Sequence, residues 1–387
     1  MKLNQFYTPP ECSDALVSNL DILSPEVAVD LGFGEGELLK AAKRKWGNLK
    51  LIGIDVDKEN VKKCCPSLGI DAFIGDGFDP ELPSRIKRMY GEIDLLISNP
   101  PFFSSAWTDN TKNILMDANL EEIVPSLATK IPAEVVFLAQ NLRLMSKTSE
   151  LAIILPAGIA SGEGWVKLRK HLFTNYNVKC CIQLPIGAFG KTDAQTFIFI
   201  LNKNLKLNSG SVILLDFESE SQISIPRIKA IERCDFNYHA SELYRNSRIS
   251  LSENSIFIRR GNLSRKYLNE NNIEHLHTTD MPKFPSIIDV EVGSKANGNK
   301  ASNGDILIAR VGTRCLGRVA LVKGKSIHVS DCIIVLKIKD CNLRDKVWSM
   351  LSNNKFKTYI NKVALGVGAK YITHKIIREY LFYYERD

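Results

Sequence analysis

The chain has 387 residues, 44% of them hydrophobic and 24% charged, with a net charge of +8, enough for two or three domains with cores of their own. No apolar run reaches the ~18 residues of a membrane span, and the opening MKLNQFYTPP lacks the apolar centre of a secretion signal, so neither a membrane partner nor export is expected. The nine cysteines include two adjacent pairs and no C-x-x-C, which argues against zinc or a disulfide framework and for reduced thiols in a cytoplasmic compartment.

Taken in chain order, residues 26–32, 49–57, 70–77, 92–99, 150–156 and 178–185 read as apolar strands, with helices predicted over 36–46, 58–64, 132–146 and 163–173. That alternation predicts an α/β fold, a doubly wound, Rossmann-like parallel sheet with helices on both faces. The strand at 194–203 follows 178–185 too closely for a crossover helix, so the two should form an antiparallel hairpin that ends the sheet. The polar stretch LNKNLKLNSG marks a boundary and divides the chain into domains 1–204 and 205–387. The second is expected to be mainly β, with a β-meander over 303–338 and one long helix over 342–364.

VDLGFGEGELL sets Asp30 at a strand end, followed by Gly32, Gly34 and Gly36 and then a helix. Glycines let the backbone approach a ligand closely. The third glycine comes one residue early for a dinucleotide fingerprint, and an acid just before the loop suits an ammonium group better than a pyrophosphate. Asp55 ends the second strand, where a carboxylate can accept both hydroxyls of a ribose. Asp76 ends the third, placed to accept from an exocyclic amine, with Phe78 nearby to flank a ring. Ammonium, ribose and adenine in that order describe S-adenosyl-L-methionine. The competing reading is that these acids only cap the helices that follow.

The strand DLLISN then runs into Asn99-Pro100-Pro101-Phe102, a stiff corner, because proline ends the ladder and fixes its own φ. This corner, downstream of Asp30-x-Gly-x-Gly, resembles that of the methyltransferases that modify exocyclic nitrogens. The resemblance implies that the Asn99 oxygen and the Pro100 carbonyl accept the two N–H groups of the target amine and direct its lone pair toward the methyl sulfonium. Pro101 stiffens the bend and Phe102 offers a stacking face.

Two flanking segments are similar to those of the DNA adenine N6-methyltransferases whose cofactor motifs come first and whose recognition domain comes last. QFYTPPECSDALV implies that Tyr7 and Thr8 close over the methionine end of the cofactor. LPIGAFGKTDAQTFIFILNK implies that Phe189 packs on an adenine flipped out of double-stranded DNA, with Phe102 on its other side. Phe102 departs from this group, in which Tyr is more usual. The corner also occurs in methyltransferases acting on ribosomal guanine, so a ribosomal RNA (guanine-N2) or protein glutamine methyltransferase is the alternative, as is a DNA-specificity protein without catalysis.

Residues 1–200 hold 21 Lys+Arg against 24 Asp+Glu, and residues 201–387 hold 30 against 19. The basic second half suits a polyanion. NGDILIARVGTRCLGRVALVKG and VALGVGAKYITHKIIREYLF are similar to the target-recognition domains of type I restriction specificity subunits and of single-chain adenine methyltransferases. Arg310, Arg314 and Arg318, with Lys370 and Tyr371 behind them, are the candidate DNA contacts. The absence of an Asp/Glu-x-Lys triplet suggests modification of DNA without cutting, beside a separate restriction endonuclease. No metal is expected, and His275-x-His277 reads as surface. Residues 103–131 are poorly patterned and are expected to be a lid or a DNA-contacting loop.

Overall fold

A computed structural model describes residues 7–123, 129–190, 194–205, 210–241, 255–294, 298–366 and 369–382. The chain folds as two compact units, Met1–Phe236 and Asn237–Asp387.

In the first unit the strands are β1 (Val27–Leu31), β2 (Lys50–Asp55), β3 (Ile70–Ile74), β4 (Leu95–Ser98), β5 (Ser104–Ala106), β6 (Lys130–Pro132), β7 (Glu150–Pro156), β8 (Asn177–Gln183), β9 (Thr196–Asn202), β10 (Ser211–Asp216) and β11 (Gln222–Pro226). Nine of them form one sheet in the order β11-β10-β8-β9-β7-β4-β1-β2-β3, while β5 and β6 pair separately. The helices are α1 (Pro10–Ser18), α2 (Glu37–Trp46), α3 (Lys58–Leu68), α4 (Leu82–Tyr90), α5 (Asp109–Asp117), α6 (Ala133–Leu144), α7 (Ala157–Ser161), α8 (Val166–Asn175) and α9 (Arg227–Glu232).

Alternation decides the layers. Ala28, Leu51, Leu95, Ile97, Ala152 and Ile154 turn to one face and join Leu16 of α1, Leu20 just after it, and Leu38, Leu39 and Ala42 of α2. Helix α6 is buried along almost its whole length; it stays out of that layer and packs with α4 and α5. Strands β7 to β4 and β4 to β1 to β2 to β3 are parallel, and β9 enters antiparallel between β7 and β8, as the short connection requires.

Three expectations are corrected here. The hairpin does not end the sheet, because β10 adds parallel to β8 and β11 adds antiparallel to β10. The boundary expected at 204/205 therefore falls inside the first unit. The fully buried Arg169 of α8 explains part of the difference: it donates to the carbonyls of Ile159, Gly162, Ile231 and Glu232 at 2.6–3.0 Å, which ties the segment after β11 to α7 and α8. The stretch 103–131 is also more ordered than its pattern suggests. Ala133 N–H bonds the Phe103 carbonyl, and α5 buries Ile114 and Leu115 behind a Thr108/Thr111 capping box; residues 124–128 lie outside the described set.

The second unit holds β12 (Phe257–Arg260), β13 (His275–Leu276), β14 (Ser286–Val290), β15 (Lys300–Ala301), β16 (Ile306–Ala309), β17 (Val319–Gly324), β18 (Ile327–Val329) and β19 (Ile333–Lys337). After α10 (Phe236–Ala240), which spans the boundary between the units, its helices are α11 (Arg265–Glu270), α12 (Cys341–Leu351), α13 (Asn354–Val363) and α14 (His374–Leu381). The expected meander is not one: β19 pairs with β16 in the sheet β12-β19-β16-β17-β14, and β18 leaves for a second sheet with β13 and β15. The unit is not mainly β either, since α12, α13 and α14 supply much of one core through Val347, Phe356, Ile360 and Ile377. The single long helix breaks at Asn353, whose extended backbone and side chain, accepting from Lys355 N–H, start a new helix.

Candidate active site

The order of the sheet reverses at β1, which has β2 on one side and β4 on the other. In open α/β sheets ligands settle beyond the carboxyl ends of the strands at such a point. Asp30 pairs in register with Ile97 of β4 and Gly53 of β2, so it stands near the carboxyl end of the sheet, and Asn99 follows on the neighbouring strand two residues past the position opposite it.

Asp30 is 1% exposed, and its Oδ1 has no hydrogen-bond partner among the described residues. Burial, and then the charge of Asp55, push its carboxyl well above the usual range. A carboxyl held this way is completed by a cation, so the ammonium expected from the sequence fits here. Asp55 is 5% exposed, and its carboxylate accepts from Gly34 N–H at 2.8 Å, Asp57 N–H at 2.8 Å and Asn60 Nδ2 at 3.3 Å. It clamps the glycine loop to the end of β2 and keeps acceptor capacity for a hydroxyl. Asp76 is exposed and accepts from Phe78 N–H at 2.9 Å.

Tyr7 lies over the glycine loop. A Cβ at Gly34, whose φ is +56°, would stand 3.2 Å from the tyrosine ring, so the missing side chain makes the contact possible. Desolvation, with Glu35, Asp57 and Asp55 nearby, raises the Tyr7 phenol. Thr8 reaches the other wall: its Oγ1 accepts from Asn99 Nδ2 at 3.0 Å. The segment 7–8 thus joins the glycine loop to the corner. Pro100 is buried, Ser98 Oγ donates to the Leu31 carbonyl, and all peptides here are trans.

The two expected stacking residues share one apolar cluster. Phe189 is 7% exposed within it, and Phe102 packs against the cluster half-buried. Phe78 stacks on Phe103 with ring centres 6.0 Å apart and meets Phe137 edge-on at 6.2 Å. Two residues went unnoticed in the sequence, Phe137 and Glu134, one helical turn apart on α6. The Phe137 ring lies 3.3 Å from where a Gly32 Cβ would be and fills the space a Cβ at Gly77 would need. Glu134 is 9% exposed, its Oε2 lacks a partner among the described residues, and burial raises its carboxyl to about 7. Only the i, i+3 spacing on a largely buried helix could have paired them.

In the second unit Arg310 stacks on Tyr371 with its guanidinium 5.6 Å from the ring centre, and Gly312 N–H bonds the Lys370 carbonyl. Arg314 is exposed. Arg318 is engaged inside the unit, donating to the carbonyls of Met281 at 3.0 Å and Arg314 at 3.1 Å. His277 faces Ser330 Oγ at 2.8 Å, and His275 faces the Ile273 carbonyl at 2.8 Å. No helix among the described residues is long and apolar enough to cross a membrane.

A protein of Methanocaldococcus jannaschii, whose name describes a type II restriction enzyme and methyltransferase, is 25% identical over 129 residues, 33% of this chain and 10% of that one. The release factor glutamine methyltransferase of Enterococcus faecalis is 32% identical over 111 residues, 27% of this chain and 35% of that one. The chain thus spans well under half the length of these relatives. The crystal structure of the type IIG restriction endonuclease BpuSI superposes with a TM-score of 0.54 at 13% identity, over 97% of this chain and 58% of that one, a likeness of fold. Residues 2–250 match the N-6 DNA methylase family, and that match covers the glycine loop, the three strand-end acids and the Asn-Pro-Pro-Phe corner. The chain belongs to the N-6 DNA methylase family.

Proposed function

We propose that the chain is an S-adenosyl-L-methionine-dependent DNA methyltransferase that acts on the N6 amine of an adenine flipped out of double-stranded DNA, within a restriction–modification system. The observation that carries this reading is the placement of Asn99. It follows β4, the strand paired to that of Asp30, two residues past the position opposite Asp30, and its amide nitrogen is taken by Thr8. With the nitrogen engaged, the oxygen of the same planar amide is turned away as an acceptor.

The cofactor supplies an electrophilic methyl group on a sulfonium. The residues do the rest. Asp30 answers the ammonium and Asp55 the ribose, with Asp76, Phe78 and Phe137 about the adenine ring. Tyr7 and Thr8 lie across the methionine end. Asn99 Oδ1 and the Pro100 carbonyl accept the two hydrogens of the target amine, which localises its lone pair, and Pro101 keeps the two acceptors in place. The proton becomes acidic once the C–N bond forms, so no strong base is required at the start. Phe102 stacks on the base. Phe189 must turn out of its apolar cluster to reach the opposite face. The second unit reads the duplex, with Arg310, Arg314 and Lys370 toward it and Arg318 bracing the loop.

The test is expression in a host without adenine methylation, followed by mapping of modified bases across the genome. N6-methyladenine at one recurring motif is expected. Unmodified DNA with modified ribosomal RNA or release factor would transfer the assignment to the second reading, which the glutamine methyltransferase relative keeps in view.

A further inference from the structure

Beyond the arginines singled out in the sequence, the second unit gathers cations at one end of its larger sheet. Arg260 ends β12 and pairs with Ile334 of β19, which pairs with Ile308 of β16. Arg310 follows β16 by one residue at that same end. Its carbonyl accepts from Ile372 N–H at 3.0 Å, which brings up the start of α14 with His374, and Arg378 stands one turn further along the same helix face.

Among the described residues Arg260, Arg310 and Arg378 form no ion pair, although Asp331 lies beside Cys332 on the same side. His374 lies near enough to feel the charge of all three, and its Nε2 is buried with no partner among the described residues. Like charges gathered without forming an ion pair repel one another, and a histidine nitrogen left without a partner adds a further penalty. An anion would remove both.

We propose that Arg260, Arg310, His374 and Arg378 form a cradle for a backbone phosphate of duplex DNA. The arginines present forked donors, Tyr371 holds the Arg310 fork by stacking on it, and His374 in its Nε2–H tautomer donates one more hydrogen bond. Burial, with the three arginines after it, lowers the His374 pKa, so this donor is neutral at neutral pH. The inference rests on the reading above only for the identity of the anion.

The experiment measures the affinity of the full chain for a 30-base-pair duplex across a salt series. Arg260→Gln with Arg378→Gln is compared with Lys266→Gln, which removes an exposed charge elsewhere in the unit. The double variant is expected to bind about tenfold more weakly at 0.1 M salt and to lose roughly one unit of the salt slope, with Lys266→Gln unchanged. Arg260→Lys with Arg378→Lys, which keeps the charge and the fold but loses the fork, should recover the slope and part of the affinity. Equal slopes in wild type and the glutamine variants, or an equal loss in Lys266→Gln, would overturn the cradle. Cofactor binding and base modification are measured in parallel: their failure in the wild type counts against the proposed reaction, whereas a flat salt response with methylation intact counts against the cradle alone. Preference for RNA with the same arginine dependence would overturn the assignment to DNA.

Discussion

Asn99 and Thr8, 91 residues apart, meet through one hydrogen bond of 3.0 Å, and that bond orients the asparagine amide, in the proposed reaction with its oxygen toward the target amine. A planar amide offers a donor end and an acceptor end, and exchanging them would present hydrogens to an amine that also carries hydrogens. Removing the hydroxyl as Thr8→Val should therefore lower turnover about tenfold, roughly the worth of one such hydrogen bond, with cofactor affinity little changed. Asn99→Ala should lose far more turnover and as little affinity. Calorimetry with the demethylated cofactor product, set against single-turnover rates, separates the two; parallel losses of affinity and rate would sink this assignment.

Asp30 is buried with one oxygen lacking a partner among the described residues, a cost to the empty protein that the proposed cofactor ammonium would offset. Asp30→Asn should raise the melting temperature without cofactor and weaken cofactor binding by tenfold or more. A variant that melts lower and binds normally would show a structural carboxylate instead.

Glu134 gives a pH signature. Its carboxyl titrates near 7 in the folded chain against 4.5 for the ordinary group, and burial is the main cause. Between those values the folded chain holds a proton that the unfolded chain has released. Stability from this group is thus complete below about pH 4.5 and lost as pH rises through 7, by about 3 kcal/mol in all. Glu134→Gln should flatten that part of the profile and raise the melting temperature more at pH 8 than at pH 5. Denaturant titrations at the two pH values decide it, and identical gains at both would refute the shift.

Gly77 and Phe137 share one space: a Cβ on Gly77 would collide with the Phe137 ring. Gly77→Ala should cost about 1–3 kcal/mol and displace the ring from the glycine loop. Phe137→Leu should relieve part of that cost in the double variant, which a double-mutant cycle would read as coupling. Simple additivity would mean that the two do not touch.

The edge of the first unit is testable by truncation. A fragment ending at Phe236 keeps β10, β11 and the carbonyls that Arg169 holds, and should melt cooperatively. One ending at Asn204 exposes the edge of β8 and leaves a buried guanidinium short of two partners, and should aggregate. A well-folded 1–204 fragment would restore the earlier boundary.

What the chain determined by itself is local. The period of two in β1, β2, β4 and β7, the acids that end β1 and β2, the glycines after Asp30 and the two prolines after Asn99 each act through near neighbours, and each was readable in order. The antiparallel entry of β9 was equally readable, because so short a connection permits nothing else. Only tertiary structure decided which strands continue the sheet past β9, because β10 and β11 look like any half-buried strands until β8 offers an unpaired edge. The same holds for the break at Asn353, where a cap and a continuing helix compete locally and packing chooses. It holds as well for Phe137, whose ring meets Gly32 and Gly77 from distant segments, and for Arg318, which sequence pointed outward and the fold turned to its own carbonyls. Periodicity tells a residue which face it occupies; the partner it meets there is set by segments a hundred residues away.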